Sequence, residues 1–455
     1  MRARLILFCT FSLIVAGLTR HGLEVSAAAN SPSFLYTVAQ SYEPLAWMHG
    51  ADRFSSGATI FLRDGKGRRP LAPEFAASAD SAISFDGRRV LFSGKQQAKD
   101  PWQIWEITLP GGQPRRVTSA STDCIRPFYL PGPVDDRVAY ARKAEGRFVI
   151  EVADLNGENP LPLTYGPANS LPSDVLRDGR ILFEAAFPLG ADARPEIYTV
   201  YSDGSGVESY RCDHDNVRYQ GKQLNSGDIV FASAAGLASF TSARAQEVPI
   251  SAPAGEYAGD IAETASGDWL LSWRANAKAH FQLMQWTPAA HALHPLVSEE
   301  KADIIQPTLL ADHVVPKRHP SALHDWSYAN LLCLNAYTSK YQFAAASIHS
   351  VRLYTRNLAG ETSLLGTAGV EPDGSFFIQV PTEQPLQIEL LDAAGKTLRR
   401  ESGFFWMRRG EQRICVGCHA GPETAPENAV PMILLKSTTP ADLTRASAHN
   451  ASGGR

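Results

Sequence analysis

An all-β chain, a six-bladed β-propeller followed by a small β-sandwich-like domain, is the fold class this sequence predicts. Three observations predict it. Strand-like runs follow a polar turn at a near-regular period through the first two thirds of the chain. The segment before the first complete repeat lacks one strand, which a later segment can supply. After residue 318 the repeat stops and a β-rich stretch of different texture begins.

The first element is a leader. Arg2 and Arg4 form a charged start, Leu5 to Leu18 an apolar run, and Val25-Ser26-Ala27 a small-residue cleavage site, the pattern of a secretory signal peptide over residues 1–27 cut after Ala27. The apolar run is short of the roughly 20 residues of a membrane span, and no later stretch supplies one, so a soluble periplasmic or secreted protein is expected. Cys9 lies in the leader and leaves with it. The chain carries 43 basic and 47 acidic residues. Losing Arg2, Arg4, Arg20 and Glu24 leaves 40 against 46, a net charge of −6 that argues against nucleic-acid partners. Five cysteines remain: Cys124, Cys212, Cys333, Cys415 and Cys418. Export permits disulfides, but the first three are scattered and odd in number, so no disulfide framework is read from them.

The repeat occupies residues 33–318. "DGRRVLF" at 86–92, "DDRVAYA" at 135–141, "DGRILFE" at 178–184, "SGDIVFA" at 226–232 and "SGDWLLS" at 266–272 have their second turn residues at 87, 136, 179, 227 and 267, spaced by 49, 43, 48 and 40. Periods of that size belong to propeller units. Later strands in each unit end in turns rich in Gly and Asn, which accept the positive φ of tight β-turns. "EPLAWMHGADRFSSGATIFLRDGKGRRPLA" reads as a sixth unit without its first strand, and "DIIQPTLLAD" at 303–312 could supply it, closing the ring without exposed edges. A large β-sandwich is the plainer alternative.

Residues 319–436 form the second domain, and 437–455, short and polar, read as a disordered tail. In "DGSFFIQVP", Phe376, Ile378 and Val380 alternate with Phe377 and Gln379 after an Asp-Gly turn, the pattern of a hairpin packed mostly inward. The last strand leads into "RICVGCHAGPETAP". Cys415 and Cys418 are three apart and His419 is four from Cys415, so one helical turn would place all three on one face. Two thiols can add to the vinyl groups along one porphyrin edge while the imidazole meets the iron. C-x-x-C-H in an exported chain is the c-type haem attachment signal. A zinc site would need a fourth ligand and usually a second Cys or His pair. A thioredoxin-like redox pair expects a βαβ setting, and a chance pentapeptide or simple disulfide also remains open.

The repeat resembles the TolB-type propeller family, with "YTVYSDGSG" its most recognisable copy, over residues 35–312. "LGTAGVEPDGSFFIQVPTEQPLQIELLDAAGKTLR", "GFFWMRRGEQRICVGCH" and the following "PENAVP" resemble the middle domain of the hydrazine synthase alpha subunit, over residues 325–435. That resemblance implies a β domain carrying one covalent haem c after a propeller, with Cys415 and Cys418 as thioether residues and His419 as the motif histidine. In the anammox subunit the iron ligand is a tyrosine shortly after the motif, and the motif histidine can bind zinc. Residues 420–430, "AGPETAPENAV", hold no tyrosine. The departure favours His419 as proximal ligand and leaves zinc as a possibility by resemblance only. That subunit also continues into a further haem-bearing domain, whereas one haem is expected here.

For the sixth iron position the residues suggest Met407 and Met432, which flank the motif, and His319 or His324. His313 clusters with these two histidines between the domains. Core packing or surface exposure is the plainer role of each. Trp406, with Phe404 and Phe405, is expected as an apolar wall against the ring. His324 and Asp325 lack a serine in a G-x-S-x-G elbow, so a propeller-peptidase reading fails, and no phosphate-binding glycine loop is present. Two function classes stand. One is an exported monohaem cytochrome-like electron-transfer or redox subunit, with a redox partner protein or other subunits and the propeller as docking surface. The other is a TolB-like binding or scaffold module without redox activity.

Overall fold

The computed structural model describes residues 32–54, 57–187, 193–211, 216–243, 245–417 and 428–444. The leader, Cys212, Cys418 and His419 lie outside the described residues. The regular secondary structure described is almost wholly strand, in eight sheets. No helix among these residues is long and apolar enough to cross a membrane.

Six sheets follow the repeat. The second is Ala77–Ile83, Arg89–Lys95, Gln103–Thr108 and Arg115–Arg116, each strand antiparallel to the next. The third (Cys124–Leu130 onward), fourth (Ser170–Val175 onward) and fifth (Tyr219–Gln223 onward) are built the same way. The sixth has two short first strands, Glu256–Tyr257 and Ala262–Glu263, both on Trp269–Arg274. In the first sheet Phe34–Ala39, Ala58–Asp64 and Gly67–Pro70 are completed by Asp303–Leu309, which pairs antiparallel with Phe34–Ala39. The strand missing from the amino-terminal unit therefore comes from the segment the sequence nominated.

The turn anchors have a common chemistry. The amides of Gly87, Gly179, Gly227 and Gly267 donate to the carbonyls of Ser84, Leu176, Leu224 and Thr264, at 2.8, 2.9, 2.9 and 3.0 Å. All four glycines have positive φ, which costs an L side chain roughly 1 kcal/mol or more. A four-residue turn of this kind sets the register, and the alternation after it buries one face of the next strand.

Residues 40–54 fold over one end of the six-sheet part. Tyr42, Trp47 and Phe54 are buried there with Ala77, Ala79, Ile125, Phe148, Leu171 and Phe281, drawn from several sheets. Across the other end runs the segment after Leu309. The His313 amide donates to Phe85 at 3.0 Å, and that of Lys317 to Arg177 at 2.9 Å. The His319 ring stacks on Tyr201 at 3.8 Å. Gly179 lies so close beneath this strap that a Cβ there would sit 2.0 Å from the Lys317 oxygen.

The second part is two four-stranded sheets around one core. One sheet runs Gln412–Cys415, Ala329–Cys333, Phe376–Val380, Ala441–Asp442, and the other Thr362–Gly369, Ser350–Arg356, Leu386–Leu391, Thr397–Arg400. Leu331, Phe376 and Ile378 from the first meet Val351, Leu353, Leu386 and Leu390 from the second. The alternation read in "FFIQV" holds, with Phe376, Ile378 and Val380 buried and Phe377 and Gln379 half-buried. The hairpin does not: Thr362–Gly369 and Phe376–Val380 lie in different sheets, so the Asp-Gly turn at Gly374 carries the chain from one sheet to the other. Residues 437–444, read as the start of a tail, include the edge strand Ala441–Asp442 and the buried Leu443. An apolar side chain three residues past a short polar run is too weak a signal to mark a strand. Residues 445–455 lie outside the described set.

The parts meet along "GFFWMRRGEQRIC". Trp406 and Phe404 are buried against Leu163, Phe183, Tyr198 and Val207 of the third and fourth sheets, and the Trp406 indole N–H donates to the Leu163 carbonyl at 2.9 Å. Arg408 bonds the Tyr165 hydroxyl and pairs with Glu383 at 2.7 Å.

Candidate functional site

Strand Gln412–Cys415 delivers the first motif cysteine. It pairs in parallel with Ala329–Cys333, putting Cys415 opposite Cys333, and it is the edge of its sheet. Glu411 and Arg413 fasten it to the fourth sheet. Glu411 accepts the Gly206 amide at 3.1 Å, and Arg413 donates to the Val207 carbonyl at 3.2 Å and to Glu411 at 2.6 Å. The Leu334 amide then holds the Cys415 carbonyl at 2.8 Å. Gly417 is pressed against the turn at 335–338, where a Cβ would lie 2.2 Å from the Thr338 oxygen, so only glycine fits. Cys415 is thus the last residue of a strand. The helical turn expected around Cys415, Cys418 and His419 does not begin at Cys415, because β pairing with residues 329–333 claims its backbone. Cys418 and His419 fall outside the described residues.

The Cys415 thiol is half-buried, and a hydrogen bond with Cys333 holds it below its ordinary value, helped by Gly417 and Arg413 against burial and Glu208. A thiol inclined to ionise is the form that reacts. Apolar side chains around the motif are left in water: Ile414 is 65% exposed and Val430 64%. An edge strand ending in a half-buried thiol, with a glycine pinned behind it and the exposed Ile414 beside it, could hold a largely apolar group covalently.

The sixth-ligand candidates separate. Met407 is fully buried in the two-sheet core. Met432 opens the short helix Met432–Lys436, is 36% exposed, and its amide donates to Asp373 at 2.7 Å while that of Ile433 meets Ser375. Ser375 precedes Phe376, which pairs with Cys333, which faces Cys415. Met432 therefore sits near the motif's end of the sheet, beside the turn at residues 373–375. His324 lies at the opposite end: its amide donates to Gly410 and its ring stacks on Trp326 at 4.4 Å. His319 sits on Tyr201, 3.7 Å from Asp203. Trp406 is no wall for a ring bound at the motif, since its indole is spent anchoring the two parts together. Among the described residues no three His, Cys, Asp or Glu side chains gather as a metal site.

A second constellation escaped the sequence reading. The innermost strands of the sheets carry bulges, and at these Asp80, Arg126, Gln220 and Gln306 take φ of 58°, 56°, 57° and 56° and meet centrally. Asp80 receives Arg53 at 2.7 Å, Ser93 at 2.8 Å and Gln306 at 2.6 Å. Arg126 donates to Asp260 at 2.8 Å and to the Gln220 side chain at 2.8 Å. The Gln220 amide donates to Glu184, whose carboxyl burial pushes up to about 7. Above this polar floor lies a cavity of about 500 Å³, reaching to His313, Val314 and Pro316 of the strap. The signal was in the sequence: Asp80, Gln220 and Asp260 each stand seven residues before a turn glycine, at 87, 227 and 267.

With this geometry in hand, the chain is placed by its likeness. Residues 338–420 match the family model of the hydrazine synthase alpha subunit middle domain. The fold is similar to hydrazine synthase of Kuenenia stuttgartiensis, at a TM-score of 0.76 and 16% identity, over 90% of this chain and 72% of that one. TolB from Acinetobacter baumannii aligns at a TM-score of 0.45 and 13% identity, over 63% of this chain and 67% of that chain. No curated protein matches the chain. The class is that of all-β proteins with a hydrazine synthase alpha-like fold, and the likeness to that subunit is specific over its middle domain.

Proposed function

We propose that this chain is an exported redox subunit holding one haem c, covalently bound by Cys415 and Cys418 with His419 on the iron. One observation carries the reading: the match over residues 338–420 takes in the C-V-G-C-H segment on a fold that follows hydrazine synthase over 90% of the chain. A bound haem would supply one-electron ferric/ferrous chemistry. The chain's own contribution is attachment and burial. Cys415 would supply one of the thiols that hold the haem, Gly417 keeps the loop against residues 335–338, and the exposed Ile414 and Val430 would give apolar cover to a bound ring.

The six sheets act in this reading as a six-bladed propeller of the TolB type, closed where Asp303–Leu309 joins Phe34–Ala39. Its neighbouring innermost strands and the shared polar centre support a ring. Locked to the motif strand through Trp406, Glu411 and Arg413, the propeller would be a rigid surface for a redox partner or for further subunits, as the resemblance to one subunit of hydrazine synthase suggests. A leader over residues 1–27 would place the protein where haem c is attached. The reaction of hydrazine synthase is not carried over.

A pyridine haemochrome spectrum of protein from a host that matures c-type cytochromes tests the reading. One haem per chain with c-type bands is expected. A protein without haem, fully folded, would return it to the class of scaffold modules.

A further inference from the structure

Cys333 stands where neither the haem motif nor the fold requires a thiol. It is 1% exposed and is the direct partner of Cys415 across two parallel strands. Neighbouring strands lie about 4.8 Å apart. That spacing falls inside the Cα separation of roughly 4.4–6.8 Å that a disulfide accepts. Partnered residues of a parallel pair project to the same face of the sheet, and both sulfurs belong to one apolar cluster. Both are thiols here.

We propose that Cys333 and Cys415 are a reversible dithiol/disulfide pair, and that the disulfide withholds Cys415 from haem. The second half rests on the haem reading; the first does not. The chemistry is thiol–disulfide exchange with a small-molecule disulfide such as oxidised glutathione. The Cys415 thiolate, the more accessible of the two, attacks one glutathione sulfur, forms a mixed disulfide and expels one glutathione thiolate. The Cys333 thiolate then attacks the Cys415 sulfur and expels the second. Two electrons and two protons pass from the pair to glutathione, which leaves as two thiols. Thioether formation needs an S–H to add across a vinyl double bond, and a sulfur already in a disulfide has none. The two fates of Cys415 exclude each other.

Cys124 is the internal control. It is fully buried and burial pushes its thiol up to about 12, so exchange there is slow.

The test uses full-length protein made without haem, incubated with oxidised glutathione, digested without reductant and mapped by mass spectrometry. A peptide joining Cys333 to Cys415, released by dithiothreitol and absent from Cys333→Ser and Cys333→Ala, is expected. Oxidised wild type should then take up at least ten-fold less covalent haem than reduced wild type, while the two variants take it up equally in either state. Circular dichroism checks that both variants are folded. A Cys415–Cys418 link, or Cys415 capped by glutathione with Cys333 still alkylatable, overturns the pair. Equal haem uptake by oxidised and reduced wild type overturns the withholding. Haem uptake by neither wild type nor variants, with the Cys333–Cys415 link present, overturns the haem reading and the withholding while establishing the disulfide.

Discussion

Replacing Asp80 by Asn tests whether the buried polar centre holds the six sheets together. Asp80 and Arg53 have side chains only 2% exposed, and the carboxylate also takes bonds from Ser93, Gln306 and the Arg126 amide. Asn keeps the shape but removes the charge that balances Arg53 and part of that on Arg126. Stranding one partner of a buried ion pair costs about 3–5 kcal/mol, which is a large share of a typical folding stability. We expect a loss of about 4 kcal/mol, read as a fall in the midpoint of urea unfolding followed by tryptophan fluorescence with the slope unchanged. Arg53→Met combined with Asp80→Leu should recover most of it, because apolar side chains of similar size leave no charge stranded. A loss below about 1 kcal/mol for Asp80→Asn, or a double variant no better than the single, would show that the buried ion pair does not hold the sheets together.

Other expectations follow from the same structure. Burial raises Glu184 to about 7, so the folded state keeps a proton that the unfolded state releases near pH 4.3; the stability this gives is full below that pH and is lost as pH rises through about 7. Glu184→Gln should flatten this slope, worth about 3 kcal/mol between pH 5 and 8 in parallel urea titrations; an unchanged slope would place the titration elsewhere. Trp406→Ala should cost about 3–5 kcal/mol and expose the seam between the two parts to limited proteolysis, since it opens a cavity and strands the Leu163 carbonyl. Gly417→Ala should cut covalent haem incorporation severalfold by pushing the motif off Thr338, while a full haem complement would show the loop can shift. With His419 on the iron, Met407 buried in the two-sheet core and the Met432 amide tied to Asp373, the ferrous protein should bind carbon monoxide. Met432→Ala should leave that titration unchanged and His419→Ala should alter the axial spectrum.

Periodicity made most of the architecture legible. Five polar turns announced the sheets because a tight turn, with a glycine at positive φ in four of the five, and an alternating strand are local properties. The completing strand at 303–309 could be named because the ring, so read, lacked one. What sequence concealed was long-range. "DGSFFIQVP" has the chemistry of a hairpin, yet its turn joins two sheets, since Phe376–Val380 gains more by pairing with Ala329–Cys333. Trp406 was read as a haem wall because it precedes the motif, whereas the strand's direction turns its indole into the third and fourth sheets. Asp80, Arg126, Gln220 and Gln306 looked like ordinary polar strand residues. The seven-residue offset before a turn glycine marks Asp80 and Gln220, but only the bulges that tilt them inward bring them together as a centre. Cys333 could not be paired from sequence, because register between strands eighty residues apart is a tertiary property.

In the proposed function Cys415 and Cys418 hold one haem covalently. Intact mass and acid-acetone extraction on protein from a cytochrome-c-maturing host address it most directly. A mass gain of one haem that survives extraction in wild type, is weakened in Cys415→Ala and Cys418→Ala, and vanishes when both are replaced is expected. Haem that extracts freely from wild type, or that stays bound after both cysteines are gone, would contradict it.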